Sequence, residues 1–278
     1  MKKQTKLVAV LSTAALLAIG ASMTSFAATG WAEEDGTWVY YDRNGDKVTD
    51  KWAKSGNNWY YLDSNGEMAV DTLIEDGDNY YYVDVNGVMA ANQWVAIDNE
   101  DAGDDDEPEH YWYYFQANGK ALKQGDSDTV SLKTVNGKKY AFDEYGAMVA
   151  EWSLDEGDEK IASKSEERAK ASVDVATTSE AWNGAGNYAK YTQAWRYFNS
   201  VEDGSRVSKG WFKVVSAELL NEEKYNDDED AWYYADGSGH LYAGEFKTIK
   251  GKKYAFRNDG RMIDGLKFIK DEGTSLDV

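Results

Sequence analysis

Tryptophan residues recur in pairs along this sequence of 278 residues, and paired indole rings can bind a cation. A quaternary ammonium held among several rings gains roughly 0.5–2 kcal/mol of cation–π attraction per ring and needs no hydrogen bond. The same rings can stack on the faces of sugars, or they can form the core of a thin protein. The pairs are Trp31 and Trp38, Trp52 and Trp59, Trp94 and Trp112, and Trp211 and Trp232.

Other kinds of chemistry find little support in the sequence. Cysteine is absent, and neither His110 nor His240 has a partner at the spacing of a helical metal site. Carboxylates are abundant, but none stands in an apolar segment that would raise its pKa. The run from Asp104 to Asp106 could bind Ca²⁺ loosely, although its spacing differs from that of an EF-hand loop and a solvated acidic loop is the simpler interpretation. We therefore expect no catalytic residues, no cofactor and no metal site.

The composition narrows the class of partner. Fifty acidic residues against 30 basic ones give a formal net charge of −20, which repels nucleic acid and anionic membranes. The chain also has 11 Trp and 20 Tyr against 8 Phe. Trp and Tyr are favoured at sites where one end of the side chain is buried and the other end faces water. This excess predicts a binding surface in addition to a core.

The N-terminus has the pattern of a secretory signal peptide. Lys2, Lys3 and Lys6 precede an apolar run from Leu7 to Ile19, and small residues follow as far as Ala27. The apolar run is too short for a comfortable membrane span, so an uncleaved anchor is the weaker alternative. We predict a signal peptide over residues 1–27, cleavage before Ala28, and a secreted protein with no membrane span after cleavage.

The tryptophan pairs belong to an internal repeat of 21 residues. The first residue of successive pairs falls at a constant interval, and a turn glycine recurs with the same period. Later copies are looser, and eight copies can be counted in all. The positions that define the period are Trp31, Trp52, Leu73 and Trp94, and Gly45, Gly66 and Gly87.

Each copy predicts a β-hairpin. The run from Trp59 to Leu62 is short, aromatic and strand-prone, and the Asn-Gly turn that ends at Gly66 precedes a return strand from Glu67 to Ala69. A lone two-stranded hairpin is unstable in water, so the hairpins must stack. We predict an all-β solenoid of about eight repeats, in which tyrosines on the face opposite Trp59 serve packing alone. Those tyrosines are Tyr60, Tyr81 and Tyr113.

Three insertions interrupt the period and suggest a domain plan. The stretches 98–109 and 222–230 are acidic and are expected to form exposed loops. The third insertion, residues 153–194, is rich in Ala, Lys and Glu over 159–171 and predicts a marginal exposed helix there. The plan is therefore a signal peptide, N-terminal repeats over 28–152, the insertion over 153–194, and C-terminal repeats over 195–278.

These motifs resemble the choline-binding-type repeats with which Gram-positive surface proteins bind the cell wall, and related glucan-binding repeats. The resemblance rests on Gly-Trp at Gly30 and Gly210, on the runs Trp59–Leu62 and Trp112–Phe115, and on the Asn-Gly turn with its trailing Met68. It implies stacked hairpins with choline of teichoic acid bound between consecutive repeats, in a box of aromatic rings with a methionine nearby.

Carried over to this sequence, the resemblance implies two good boxes and some partial ones. It places Trp31, Trp38 and Tyr61 in the first box, Trp52, Trp59 and Tyr82 in the second with Met68 nearby, and Trp94, Trp112, Trp211 and Trp232 in later ones. Leu73 and Tyr80 replace the two tryptophans of the third copy. Lys139 and Lys253 replace the second Trp in the fifth and eighth copies, where a cation would oppose a bound ammonium. Two to four working boxes are therefore expected.

Three hypotheses remain open at this point. The first is a non-catalytic, wall-associated protein that binds choline-decorated teichoic acid. The second is binding of a glucan or a wall polysaccharide by the same rings. The third is a structural spacer with no ligand, in which the rings are buried; an enzyme hidden in the insertion is a more distant alternative. Solvent exposure of the tryptophans distinguishes a binding protein from a structural spacer.

Overall fold

The regular secondary structure in the described part of the chain consists mainly of short β-strands. The computed structural model describes residues 29–99, 102, 108–125, 131–154, 185–218, 220–265, 270–271 and 276–277. The strands are β1 (Gly30–Glu34), β2 (Thr37–Tyr41), β3 (Lys51–Ser55), β4 (Asn58–Leu62), β5 (Thr72–Asp76), β6 (Asn79–Val83), β7 (Gln93–Asp98), β8 (His110–Phe115), β9 (Lys133–Val135), β10 (Lys138–Tyr140), β11 (Glu151–Leu154), β12 (Trp195–Phe198), β13 (Gly210–Val214), β14 (Ala231–Ala235), β15 (Glu245–Ile249), β16 (Lys252–Phe256), β17 (Lys270–Asp271) and β18 (Leu276–Asp277).

Each strand pairs only with its neighbour along the chain. Within the described residues there are nine two-stranded sheets, from β1–β2 to β17–β18, and the strands pair antiparallel, as in β1–β2 and β3–β4. Eight of them are the predicted repeats, numbered here one to eight, and the ninth joins Lys270–Asp271 to Leu276–Asp277. The predicted all-β solenoid of stacked hairpins is thus confirmed.

The hairpins form two compact units. The first contains repeats one to three together with Phe115–Lys120, and the second contains residues 94–114 and those from Ala121 onward. In the first unit the buried residues come mainly from one face of each hairpin, as Ala53, Tyr60 and Leu62 do in repeat two. The alternation of side chains along a strand leaves Trp52, Trp59 and Tyr61 on the other face.

An aspartate closes the turn of each well-formed repeat. In repeat two, Oδ1 of Asp63 accepts hydrogen bonds from the backbone N–H groups of Asn65 (2.8 Å) and Glu67 (2.9 Å). The N–H of Gly66 donates to the Asp63 carbonyl at 2.9 Å. These bonds satisfy the turn locally, as Asx turns do. The same arrangement recurs at Asp42, Asp84, Asp143 and Asp236.

Neighbouring repeats are joined at the residue that follows the turn. The N–H of Met68 donates to the carbonyl of Trp38 in the repeat before it, at 2.7 Å, and Met89 bonds to Trp59 in the same way at 2.9 Å. The side chain of Met68 lies against the turn glycine of the repeat after it, Gly87. One methionine therefore contacts three consecutive hairpins.

Two short helices lie within the described parts of the insertions. Helix α1 (Ala185–Ala194) falls at the end of the 153–194 insertion, where the sequence predicted none, and the helix expected over 159–171 lies outside the described residues. Helix α2 (Glu222–Asn226) begins a stretch that was expected to be a loop. That expectation was wrong because Asn221 caps the helix: its side chain accepts a hydrogen bond from the N–H of Lys224. No helix in the described residues is long and apolar enough to cross a bilayer.

Substitution of two turn glycines separates backbone strain from the stacking contact. Gly87 has φ +75°, and a Cβ there would lie 2.9 Å from Sδ and Cε of Met68; Gly77 has φ +58° and open space around it. Gly77→Ala should cost about 1–2 kcal/mol from the left-handed backbone alone. Gly87→Ala should cost about 2–4 kcal/mol because overpacking is added. Urea denaturation of both variants measures the difference in the free energy of unfolding. Equal losses would contradict the stacking contact between Met68 and Gly87.

Candidate ligand-binding boxes

The first tryptophan of a repeat lies between two tyrosines. The Trp31 ring is 5.3 Å from Tyr40, its partner across the hairpin, and 5.2 Å from Tyr60 of the next repeat, centroid to centroid. Both contacts are edge-to-face, the arrangement that aromatic pairs prefer. Two hairpins are thus needed to complete one set of three rings, which we call the Trp31 box (Trp31, Tyr40, Tyr60).

The same set of rings recurs through both units. The Trp52 box (Trp52, Tyr61, Tyr81) has centroid distances of 5.1 and 5.0 Å from Trp52 to its two tyrosines. In the second unit the corresponding distances lie between 4.8 and 5.2 Å. These are the Trp94 box (Trp94, Tyr114, Tyr140), the Trp152 box (Trp152, Tyr197, Tyr233) and the Trp211 box (Trp211, Tyr234, Tyr254).

The second tryptophan of each pair flanks the box on the same face of the hairpin. Trp59 is 40 % exposed and Trp232 is 43 % exposed, whereas Trp38 and Trp112 are half-buried. Trp232 lies edge-on to Trp211 at 6.3 Å. Trp31 and Trp52 are also half-buried. The two pairs of the first unit are therefore not sealed in a core, which favours a binding surface over a spacer.

The structure changes the third ring in each predicted box. Tyr61 lies against Trp52 of its own hairpin, and Tyr60 is the ring that reaches Trp31 from the next repeat. Similarly Tyr81 meets Trp52, whereas Tyr82 stacks on Phe115 at 6.1 Å. Tyr60 and Tyr81, which the sequence assigns to packing alone, are thus the rings that reach Trp31 and Trp52 from the next repeat. The reason is that the face of a hairpin that carries Tyr60 turns toward the tryptophan face of the preceding hairpin.

The structure also shows the contacts of three other residues that the sequence analysis singled out. Met68 lies in the joint against Gly87 and bonds to the carbonyl of Trp38. Tyr113 is buried, and its Cδ1 lies 3.5 Å from the place that a Cβ on Gly146 would take, as expected of a packing residue. Leu73 pairs with Tyr82 where other repeats pair Trp with Tyr, so repeat three lacks the tryptophan of a box.

Carboxylates surround the rings of the Trp52 box. Nε1–H of Trp52 donates to Oδ2 of Asp76 at 3.1 Å, across the gap between repeats two and three. Burial raises the pKa of the Tyr61 phenol, and nearby Asp50, Asp76 and Asp63 raise it further. Burial and Asp76 raise the pKa of Tyr81 in the same sense. Negative charge that disfavours a phenolate favours a cation in the same place.

The second unit brings a carboxylate to Trp112. Nε1–H of Trp112 donates to Oε2 of Glu202 at 3.3 Å, and Nε2 of His110 lies 3.0 Å from Oε1 of the same glutamate. Glu202 belongs to the turn of repeat six, which is longer than that of repeat two. Burial raises the pKa of Tyr140, with Asp203 contributing, so the Trp94 box also lies in an acidic environment.

The lysines that replace tryptophan make internal contacts. Nζ of Lys253 lies 4.4 Å from the ring centroid of Phe246, which stands where the first Trp of a repeat would be. Nζ of Lys139 donates to Oγ1 of Thr134 at 2.6 Å. In repeat eight the ammonium of the chain itself thus takes a cation–π position.

Other site chemistry finds no support among the described residues. Within them, no group of three or more His, Asp or Glu side chains could hold a metal ion. The acidic run Asp104–Asp106 lies outside the described residues. His240 lies 3.7 Å from Asp236 of its own turn, which fits a structural role.

Part of the ring geometry was readable from the sequence, and part was missed. The pairing of Trp31 with Tyr40 follows from the hairpin register, because Gly30 lies opposite Tyr41 and the next residues pair in turn. Tyr40, Tyr114, Tyr197 and Tyr234 could have been found in this way, as the residues opposite the first Trp of each hairpin. Tyr60 and Tyr81 could not, because their contacts depend on which faces meet between hairpins.

Burial of Tyr197 makes stability depend on alkaline pH. Burial raises the pKa of the Tyr197 phenol to about 12, and the carboxylates of Glu151 and Asp230 contribute. The folded-state pKa exceeds the unfolded value of 10.0. The stabilisation is therefore complete below pH 10 and is lost as pH rises toward about 12. Urea unfolding between pH 9 and pH 12 should show a shallower decline for Tyr197→Phe than for the parent chain, and parallel curves would contradict this assignment.

Comparisons with known proteins agree with the predicted resemblance. Residues 28–72 and 48–94 match the family model of the choline-binding repeat, which confirms that resemblance over the first unit. Glucosyltransferase-S of Streptococcus mutans is 25 % identical over 170 residues, and the match covers 55 % of this chain and 11 % of the relative. The chain therefore spans about a tenth of that protein.

Three solved structures are similar to this chain. CbpJ of Streptococcus pneumoniae is 21 % identical, with a TM-score of 0.50 over 85 % of this chain and 58 % of its own. Choline binding protein F of the same organism is 23 % identical, with a TM-score of 0.48 over 85 % and 58 % of the two chains. The modular autolysin LytC has a TM-score of 0.47 at 18 % identity, over 84 % of this chain and 38 % of LytC. At this identity the CbpJ likeness concerns the fold alone.

Proposed function

We propose that this chain is a non-catalytic attachment protein that binds choline groups of a cell-wall polymer in the boxes between its repeats. The observation that carries the proposal is the geometry of the Trp31 and Trp52 boxes. In each, two tyrosine rings have centroids about 5 Å from the central indole, beside a second tryptophan that is partly open to solvent. The family model that matches these residues is named for choline.

The chemistry of the boxes suits a quaternary ammonium. Such a group offers no N–H to a hydrogen-bond acceptor, so rings can hold it without leaving polar groups unpaired. The Trp52 box adds Asp76, which attracts a positive charge and is held by the indole N–H of Trp52. A net charge of −20 increases the local concentration of cationic groups.

Consecutive boxes suit a polymer. One small cation offers few atoms to contact, so each box alone binds weakly. When a first choline on a polymer is bound, the next is presented at high effective concentration, and the combined affinity exceeds that of either box. Choline-decorated teichoic acid is the polymer we propose, and attachment to the wall of a secreted protein follows from it. The plan of a signal peptide over 1–27 with repeats over 28–152 and 195–278 belongs to the same proposal.

Binding of a glucan is the second candidate. It is favoured by the match to a glucosyltransferase and by the half-exposed indole faces of Trp59 and Trp232, on which sugars can stack. The two ligands differ in charge. Binding of a glucan should not change when Asp76 is neutralised, whereas binding of choline should weaken when this carboxylate is removed.

Removal of one exposed ring tests the binding proposal. Trp59→Ala should lower retention on a choline resin severalfold, and Asp76→Asn should lower it to a smaller extent. The fold should survive Trp59→Ala because the side chain is 40 % exposed, and circular dichroism checks this. Tyr145→Ala is the matched control, since it removes a ring that is 57 % exposed on a turn and outside the boxes. Retention of the unmodified chain and of each variant is compared on choline resin and on insoluble glucan.

The central ring gives a second test. Trp52→Ala should lower retention at least as much as Trp59→Ala, whereas Lys139→Ala and Lys253→Ala should leave it unchanged. Full retention of both folded tryptophan variants would refute binding in the boxes and favour a structural spacer. Loss of glucan retention with choline retention intact would transfer the proposal to the sugar.

A further inference from the structure

The Trp152 box is distinguished by a phenylalanine that stacks on both of its tyrosines. In the Trp94 and Trp211 boxes a phenylalanine, Phe142 or Phe256, lies 5.8 Å from the tryptophan. The Phe212 centroid lies 4.8 Å from Tyr197, 5.5 Å from Tyr233 and 5.7 Å from Trp152. Its plane is inclined by only 13° to Tyr197 and 19° to Tyr233, so it is stacked between them. A cation would need to lie within about 6 Å of ring centroids to be attracted by them. Phe212 therefore takes up the position from which a ligand would contact all three rings.

The residue responsible stands at a fixed place in the repeat. Phe212 is the third residue of β13 and pairs across the hairpin with Tyr233. Ala53 is the third residue of β3 and pairs with Tyr60 of the Trp31 box. Both side chains are buried, but Ala53 presents one methyl group where Phe212 presents a ring. The same place thus holds a phenyl ring in one box and only a methyl group in the other.

The outer side of the Trp152 box is covered as well. Trp195 stands in repeat six where Trp59 stands in repeat two, yet it is 5 % exposed whereas Trp59 is 40 % exposed. Its ring meets Trp152 at 6.3 Å, and Tyr191 of helix α1 meets Trp195 at 6.1 Å. The end of the 153–194 insertion thus packs on the tryptophan that would flank an open box.

Polar anchors hold this arrangement together. Nε1–H of Trp152 donates to the carbonyl of Val215 at 2.8 Å, so the indole edge that is turned to Asp76 in the Trp52 box is here bound to the backbone. Oγ1 of Thr192 in α1, which is fully buried, donates to the carbonyl of Asn258 at 2.6 Å. Leu220, just before helix α2, is fully buried in one apolar cluster with Tyr191, Trp195 and Phe212.

We propose that the Trp152 box is a closed joint, in which Phe212 replaces the ligand and α1 covers the entrance. A phenyl ring at the third residue of the first strand then closes a box, whereas Ala53 and Ile74 at this place leave the Trp31 and Trp52 boxes open. The insertion at 153–194 gains a role, since its last helix turns one box into a rigid connection within the second unit. The closed state stands on geometry alone, whereas the selective role of this position rests on the proposed choline binding.

Indole N–H signals provide the test. The purified full chain is labelled with ¹⁵N, and the signals of Trp152, Trp195 and Trp59 are assigned by single Trp→Phe substitutions. In heavy water, the N–H groups of Trp152 and Trp195 should exchange at least tenfold more slowly than that of Trp59. Tyr191→Ala should speed the exchange of Trp195 at least tenfold because it removes the cover. Exchange of Trp152 as rapid as that of Trp59 would overturn the closed joint whatever the ligand is.

A titration with choline chloride tests the selective position. In the unmodified chain, choline should shift the signals of Trp31 and Trp52 and leave Trp152 in place. The double variant Phe212→Ala, Tyr191→Ala should let choline shift Trp152, whereas Tyr191→Ala alone keeps the phenyl ring in place and should not. The reciprocal Ala53→Phe, checked by circular dichroism, should abolish the shift of Trp31 alone.

The outcomes separate the two proposals. Slow exchange at Trp152 and Trp195 with no choline shift at any tryptophan would refute choline binding and leave the closed joint standing. A choline shift at Trp152 in the unmodified chain would overturn the joint and support binding. A folded Phe212→Ala, Tyr191→Ala variant whose Trp152 ignores choline, while Trp31 still responds, would overturn the role of Phe212.

Discussion

The hydrogen bond from the residue after one turn to the carbonyl of the preceding hairpin is the constraint on which the architecture depends. Met68 to Trp38 and Met89 to Trp59 are its examples in the first unit, and Met148 to Trp112 repeats it in the second. A two-stranded hairpin cannot bury a face by itself, so its neighbours must be held at a fixed distance and rotation. This bond, with the methionine side chain set against the next turn glycine, fixes both. Every ring contact between hairpins follows from that spacing.

The joint brings unlike faces together. One face of a hairpin carries the first tryptophan and its partner tyrosine, as Trp31 and Tyr40 do, and the opposite face of the next hairpin carries Tyr60. The same rings therefore serve two purposes, since they bury area that stabilises the stack and they form the walls of a box. Trp59 remains 40 % exposed because it flanks this contact. A packed solenoid and a binding surface are not alternatives here.

Charge separates the boxes from an ordinary aromatic core. Asp76 accepts from Trp52, and Glu202 accepts from Trp112, so carboxylates lie at the indole edges in both units. Burial raises the pKa of Tyr61 and Tyr140, with carboxylates contributing in each case. A neutral ring beside a carboxylate presents a strongly negative environment at little desolvation cost. In the Trp152 box the indole is bound instead to the Val215 carbonyl, and a phenyl ring stands at its centre.

The sequence by itself determined the repeat, the hairpins and the tryptophan pairs. A period of 21 residues, an Asn-Gly turn and alternation along short strands are local signals, so they specify each hairpin and which residues, such as Trp52 and Tyr61, share a face. Residues 28–94 were recognisable on these signals alone. Helix α1 was not, since its sequence has a weak apolar periodicity and Tyr191 is held by packing on Trp195.

Only the tertiary structure decided which rings meet between hairpins. Alternation assigns Tyr60 to one face and Tyr61 to the other, but it does not say which face turns toward the preceding repeat. The rotation between hairpins decides that, and it is set by the hydrogen bond that Met68 donates to Trp38. For the same reason the strand pattern does not indicate that Phe212 stacks between Tyr197 and Tyr233. Side-chain direction is a local property of the chain, and the contact between stacked hairpins is not.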